Sequence, residues 1–326
     1  MGVLAVVEVS EGKIKKSSFE AAYYAAKSAA AMGTDAHAVV LGSAGADELA
    51  QLGGFGVKSV WQAADARFNT FDSKAHAKAI EEAVKQSGAS LVVISFNQNG
   101  KLLAPRVAVR LKAGYVPGAA TLPEVNGGTV QVVKNVFSGK AKATYAISTE
   151  KKVIAISPNS FSPVKGEGAA AVNAFSPGMS DGDFGVAVKS VDKVTGTVPL
   201  TEADIVVSAG RGLKGPENWG MIEDLAKELG AATACSRPVA DVDWRPHHEH
   251  VGQTGVTVKP NLYIAIGISG AIQHLAGVNQ SKTIVVINSD PEAPFFKAAD
   301  YGIVGDAFQI VPKLTEEIKK YHAQAH

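Results

Sequence analysis

Apolar and polar positions along this chain follow two rhythms. Over about the first 110 residues, Val3–Val9, Ala38–Leu41 and Leu91–Ser95 are short, mostly apolar β-branched runs, the pattern of buried strands. Between them, Ser18–Met32 and Ser73–Ser87 carry Ala-rich helical periodicity. Ser73 is the predicted N-cap of the second helix, and Gly33 and Gly88 are the predicted stops. Strand–helix alternation with short loops predicts a parallel sheet covered on both faces. The rhythm then changes. Thr129–Phe137, Ala143–Ser148 and Val153–Ser157 form a β-rich block with hairpin-like spacing, and Val186–Val191 is a candidate further strand. Pro158–Asp183, rich in Ser, Pro, Gly and Ala, reads as loop. From Asp204 the alternation resumes. Ile205–Ser208, Leu262–Ile268, Thr283–Asn288 and Ile303–Val304 read as strands, and Glu217–Leu229 as a helix closed by Gly230. Ala271–Ala276 opens another helix, and Lys313–Gln324 is an amphipathic one. The expected division is an α/β domain over 1–195, β-rich from about 120, a linker at 196–203 around Thr195–Pro199, and a second α/β domain over 204–326.

Composition narrows the function classes. Apolar residues make up 46% of 326, enough for real cores in two or three domains. The net charge of +1 gives no sign of a nucleic-acid or membrane partner. No run reaches the ~18 apolar residues of a membrane helix. The single cysteine, Cys235, excludes an intrachain disulfide or a four-cysteine metal or iron–sulfur site, and it points to a reducing compartment. Gly2–Glu8 is too short for a signal h-region and lacks a positive n-region. A cytoplasmic protein is the expectation, or one of the mitochondrial matrix if a transit peptide is missing from the chain.

Candidate chemistry gathers in the C-terminal domain, at strand ends and loops, where ligands of open α/β sheets bind. In Ser208–Asn218 a strand runs into a glycine-rich turn holding Arg211, whose planar fork suits phosphate or a flavin edge. In Cys235-Ser-Arg-Pro238, Ser236 and Arg237 offer a hydroxyl and a fixed positive charge. Val251-Gly-Gln-Thr-Gly255 places Gln253 and Thr254 between Gly252 and Gly255. Ser269 and Gly270 lie where a strand becomes a helix, and the N–H groups of such an end suit a pyrophosphate. His274 follows one turn inside. Asn288 and Asp306, at strand ends, can hold ribose and adenine. Taken singly, each is also an ordinary turn, cap or surface residue.

Other chemistries fit less well. The six-residue Rossmann glycine fingerprint and the phosphate-loop motif are both missing, which weakens a nicotinamide-binding reading. Gly267-Ile-Ser-Gly-Ala271 departs from a nucleophile elbow at its last position. Ser269 and His274, five apart, would point about 140° apart on a helix, which disfavours a hydrolase pair. His247, His248 and His250 beside Glu249 could bind metal, but adjacent histidines diverge in most backbones.

Taken together and in order, these segments closely resemble the C-terminal domain of electron-transfer flavoprotein alpha subunits. The resemblance is strongest at Val251-Gly-Gln-Thr-Gly255 and Leu262-Tyr-Ile-Ala-Ile-Gly-Ile-Ser-Gly-Ala-Ile-Gln-His-Leu-Ala-Gly277. It continues through Ser281-Lys-Thr-Ile-Val285, Asp290-Pro-Glu-Ala-Pro294 and Ala299-Asp-Tyr-Gly-Ile-Val304. Gly100-Lys-Leu-Leu-Ala-Pro-Arg106 carries a looser likeness in the N-terminal half. Pro238 and Trp244–His250 depart from the commoner pattern, and Gly305 and Ala307 vary. The resemblance implies a nucleotide-hydrolase-like α/β N-terminal domain with a β-rich extension, and a C-terminal parallel-sheet α/β domain binding one FAD. It implies FAD contacts at Arg211, Ser236, Arg237, Val251, Gly252, Gln253, Thr254, Ser269, Gly270, Ala271, Ile272, Gln273, His274, Asn288, Asp306 and Ala307. Among these, Arg237 would lie by the isoalloxazine, Thr254 near flavin N5 and His274 near the N1/O2 edge. Arg237 and His274 would stabilise negative charge there and favour one-electron steps. The family also implies a heterodimer with a beta subunit holding AMP, or a second FAD in electron-bifurcating forms. Acyl-CoA or other flavin dehydrogenases would donate electrons and a quinone oxidoreductase would accept them. The chain would be a redox carrier without substrate turnover of its own.

Overall fold

The computed structural model describes residues 2–137, 139–190 and 199–324, in two compact units, Met1–Asp192 and Lys193–His326. Of the linker expected at 196–203, residues 196–198 lie outside the described residues. The N-terminal unit has a ten-stranded mixed sheet. Its main strands are β1 (Gly2–Val7), β2 (Ala36–Leu41), β3 (Ser59–Ala63), β4 (Ala89–Ser95), β5 (Gly114–Ala119), β6 (Thr129–Val136), β7 (Ala141–Ile147), β8 (Lys152–Ile156) and β9 (Ala171–Ala174), in the order β7-β6-β5-β8-β4-β1-β2-β3-β9, with Glu124–Asn126 pairing β6. Alternate residues of β1 enter opposite cores. Val3, Ala5 and Val7 pack with α1 (Lys16–Ala31), while Leu4 and Val6 pack with α2 (Ser73–Ser87) and α3 (Gln98–Leu111).

Several local readings need correction. The predicted three-stranded block is a hairpin, β6–β7, followed by a strand that leaves it: β8 inserts between β4 and β5, parallel to both. All five residues of β8 are buried, as befits a central parallel strand rather than the half-solvated edge of a hairpin block. The predicted loop 158–183 contains β9, which pairs parallel to β3. Residues 186–190 form no strand, and Val191 lies outside the described residues. The N-cap of α2 is Asp72, not Ser73. Its carboxylate accepts from the Lys74 and Ala75 amides at 2.8 and 3.2 Å, which a serine hydroxyl one residue later does not do here. β3, α3 and β5 lie in stretches not assigned from the sequence pattern.

The C-terminal unit has five parallel strands, β10 (Ile205–Ala209), β11 (Ala232–Cys235), β12 (Leu262–Ile266), β13 (Thr283–Asn288) and β14 (Tyr301–Val304), in the order β11-β10-β12-β13-β14. One face packs Val207 and Ala209 against Ile222 and Leu225 of α4 (Gly220–Leu229) and Val311 of α6 (Ala307–Gln324). The other packs Val206, Tyr263 and Ala265 against Phe295 and against Val278 of α5 (Ile272–Val278). α4 begins three residues later than predicted because Pro216–Asn218 forms a 3-10 turn first. β12 stops at Ile266, where Gly267 turns the chain with φ +61°. α6 starts well before Lys313 and runs through Pro312. The chain passes from β10 to β11 on one side, then returns across β10 to β12. Loops leaving β10 and β12 therefore part in opposite directions and open a crevice at their carboxyl ends.

Asp72 gives a test of the N-terminal core. Its Oδ2 also accepts from the Gly185 amide at 2.9 Å. Burial alone would raise its pKa, but these backbone N–H groups outweigh it and hold the carboxyl below its ordinary range. The stabilisation is therefore present above the unfolded-state pKa and lost as pH falls through the folded one. Asp72→Ala is expected to cost about 1–3 kcal/mol in urea unfolding at pH 7, a deficit that shrinks below about pH 4. An unmoved midpoint would refute this account of the cap.

Candidate functional site

At the carboxyl ends of β10 and β12, two glycine turns are laced together. The Gly210 amide donates to the Ile266 carbonyl at 2.9 Å, and the Gly212 amide donates to the Gly267 carbonyl at 3.1 Å. A Cβ on Gly267 would sit 2.9 Å from Gly212 Cα, so a side chain there would force the turns apart. The lacing holds Arg211 over the crevice. Among the described residues, Arg211 pairs with no carboxylate.

β11 supplies the next wall. The Ser236 amide donates to the Ala209 carbonyl at 3.1 Å, and Ser236 precedes a single helical turn, Arg237–Ala240, with Pro238 in it. The Arg237 side chain is 64% exposed and meets Asp241 at 3.3 Å. The loop beyond returns as His250–Thr254. The Val251 amide donates to the Cys235 carbonyl at 3.0 Å, and the Gln253 amide to the Gln273 carbonyl at 2.7 Å. Gly277 of α5 allows this loop to approach: a Cβ there would stand 2.7 Å from Gly252 Cα.

The remaining wall is the segment from Gly267 to His274. Gly270, at φ +85°, packs against Phe295. The amides of Ser269, Gly270 and Ala271 donate to no backbone acceptor among the described residues, leaving N–H groups for an anionic ligand. His274 is only 6% exposed. Its Nε2 lies 2.9 Å from the Tyr263 hydroxyl, and its Nδ1 has no hydrogen-bond partner. Burial, helped by nearby His250 and weakly opposed by the Val251 backbone, pushes the His274 pKa down to about 4. The imidazole is therefore neutral at pH 7, and fixed positive charge at the site comes from the arginines alone.

Together these walls enclose a cavity of about 420 Å³. Of the residues expected from sequence, Arg211, Ser236, Arg237, Val251, Gly252, Gln253, Thr254, Ser269, Ala271, Gln273 and His274 line it. Five others do not. Gly270 is packed beneath the turn, and Ile272 is exposed beside it. Asn288 donates to the Ile268 carbonyl at 3.0 Å and accepts from the Asp290 amide at 3.0 Å. Asp306 accepts from the Phe308 amide at 3.0 Å, and Ala307 is part of the core. The cavity also uses His250, Gly267 and Ile268. His250 reaches it because Cys235 and His250 form a β-bridge, a pairing with no local sequence signal.

Two alternative chemistries find no support in this geometry. His247 and His248 are exposed while Glu249 accepts two bonds from Arg245, at 2.9 and 2.6 Å. Among the described residues no group of three or more His, Cys, Asp or Glu can hold a metal ion. His274 engages Tyr263 rather than Ser269, so no serine–histidine pair forms. Cys235 is fully buried at the end of β11. Burial, with the Glu249 carboxylate nearby, pushes its thiol up to about 12.

The low His274 pKa has a measurable consequence. Between about pH 6.5 and 4 the unfolded chain binds a proton at this histidine that the folded chain does not. Stability is therefore lost as pH falls through that window, by about 3 kcal/mol in all. Urea unfolding of the wild type and His274→Gln should show this component in the first and not in the second. Parallel pH profiles would contradict it.

Comparison with known proteins agrees over both units. Residues 3–178 match the model of the electron transfer flavoprotein domain, and residues 199–279 that of the electron transfer flavoprotein FAD-binding domain. The chain is 37% identical over 320 residues to electron transfer flavoprotein subunit alpha of Bacillus subtilis, covering 98% of this chain and 97% of that one. It is 37% identical over 321 residues to the subunit of the same name from Syntrophomonas wolfei, covering 98% and 99%. Protein FixB of Escherichia coli O157:H7 is 37% identical over 248 residues, covering 75% and 79%. A cavity at the switch point of a parallel sheet, two arginines at its rim and near-complete likeness to these subunits converge on one assignment: the chain belongs to the electron transfer flavoprotein alpha-subunit family.

Proposed function

We propose that this chain carries one FAD in the cavity between the carboxyl ends of β10 and β12 and passes electrons between partner proteins. The observation that carries this reading is the buried, unpartnered Nδ1 of His274 in a cavity rimmed by Arg211 and Arg237. An orphaned buried polar atom is costly unless a ligand completes it. The ring system of a flavin offers acceptors for such a donor, and its diphosphate is an anion for the free amides of Ser269–Ala271. FAD supplies the redox chemistry when bound, and the protein supplies position and field. Arg237 contributes a fixed positive charge at the cavity mouth. His274 contributes a neutral hydrogen-bonding group. Ser236 and Thr254 add hydroxyls to the lining. Asn288 and Asp306, outside the cavity, lie at strand ends where the adenosine half would extend.

The relatives' designation as subunit alpha supports a second subunit, and we assign the chain to a heterodimer with a beta subunit that holds AMP. Acyl-CoA or other flavin dehydrogenases are the proposed donors and a quinone oxidoreductase the proposed acceptor. A bifurcating complex would differ by a second FAD in the beta subunit. The absorption spectrum of the co-purified complex is the direct test. Flavin bands at one FAD per heterodimer support the simple carrier, and two favour the bifurcating form. A colourless complex that FAD cannot reconstitute would end the proposal.

The role of Arg237 is separable. Arg237→Ala should lower the flavin midpoint potential, by up to about 60 mV for a tenfold change in a one-electron equilibrium. Redox titration that returns the wild-type potential would remove Arg237 from any tuning role.

A further inference from the structure

We propose that Tyr263 is a positioning residue for this site: its hydroxyl fixes the tautomer of His274, so that the imidazole meets the flavin as a neutral Nδ1–H donor. The inference rests on the FAD reading of the cavity.

Tyr263 belongs to the central strand β12 and is fully buried. Burial raises its pKa, so the hydroxyl keeps its proton. His274 Nε2, at 2.9 Å, is the hydrogen-bond partner the hydroxyl has. Ser208 Oγ, the other polar atom acting on Tyr263, makes no hydrogen bond of acceptable geometry. A buried O–H without an acceptor costs more than an idle lone pair, so the hydroxyl donates and Nε2 accepts. A neutral imidazole carries a single proton, and that proton must then sit on Nδ1. Nδ1 makes no hydrogen bond of good geometry, although the Val251 backbone lies near enough to act on the ring, and the side chain lines the cavity.

The ring is also held in place. Phe295 packs edge-on to His274 with centroids 5.6 Å apart and lies 6.3 Å from the Tyr263 ring. Reversing the imidazole would put a carbon against the Tyr263 hydroxyl and leave that O–H unsatisfied. Protonating Nε2 would make the Tyr263 oxygen accept across the 2.9 Å contact and leave its own O–H without an acceptor. Tyr263 therefore disfavours both alternatives. What remains is a donor that suits a carbonyl oxygen or an unprotonated ring nitrogen and rejects a ring N–H. That selects which edge of the flavin can face His274.

The test uses the full chain in complex with its partner subunit, labelled with 15N-histidine, as wild type and as Tyr263→Phe. His274→Gln assigns the resonance. At pH 7 the wild type should show His274 protonated at Nδ1, both with FAD and after its removal. Tyr263→Phe, which removes one oxygen and keeps the ring, should shift His274 toward the Nε2-protonated form and weaken FAD binding about tenfold or more. Three results overturn the proposal: a wild-type His274 protonated at Nε2, an unchanged tautomer in Tyr263→Phe, or a changed tautomer with unchanged FAD affinity. The first of these needs no change at Tyr263. Failure of the wild type to bind FAD would instead sink the cofactor reading, and the flavin-free spectra separate the two cases.

Discussion

Two turns that follow β10 and β12 approach to within main-chain contact. Three glycines, Gly210, Gly212 and Gly267, make that approach possible, and two hydrogen bonds between the turns hold it. Two of the cavity walls follow from this contact, while the third is set by β11 pairing with β10. The first turn carries Arg211. The second redirects the chain after Ile266 so that Ser269 and Gly270 lie under the crevice and α5 runs back along the sheet. α5 in turn presents Gly277 to Gly252, which seats the loop bearing Gln253 and Thr254. The cavity is thus the space left between backbones drawn together by the absence of side chains, and its polar groups are carried in on those backbones.

The electrostatic character of the site follows from how its groups are buried. The arginines sit at the surface, where a permanent charge costs little to keep. His274 sits within, where an ionised form is expensive, and it is neutral for that reason. Charge and hydrogen bonding are therefore assigned to different depths. A shallow layer of cations faces solvent, and a layer of buried dipoles lies behind it. In a low-dielectric interior those dipoles act strongly without the desolvation penalty that a buried charge would carry.

Much of this organisation was legible in the sequence, and the rest was hidden for identifiable reasons. Buried parallel strands announce themselves as apolar runs and glycine-rich strand ends mark the crevice, which makes β10, β12 and β13 legible, while the full set of eleven cavity residues follows only with the family resemblance. Strand β8 could not be ordered correctly. Its spacing from β7 is that of a hairpin, and only the sheet as a whole decides that it pairs with β4 and β5 instead. Asp72 and Ser73 are adjacent cap residues, and only the path of the preceding chain selects between them. His250 drew attention only as one of a histidine cluster, since its place in the cavity wall depends on a bridge to Cys235, distant in sequence. Tyr263 reads simply as a strand residue. Its importance lies in what stands opposite it across the core.

Cys235 forms that bridge while its side chain is buried in the core, with the Glu249 carboxylate acting on it. A sulfur so placed stays un-ionised throughout the physiological range, and thiolate is the form that oxidants and disulfides attack. In a member of an electron-carrier family, such a thiol takes no part in the redox traffic. Keeping its one sulfhydryl sealed leaves the chain chemically inert at the point where it would otherwise be most easily scarred.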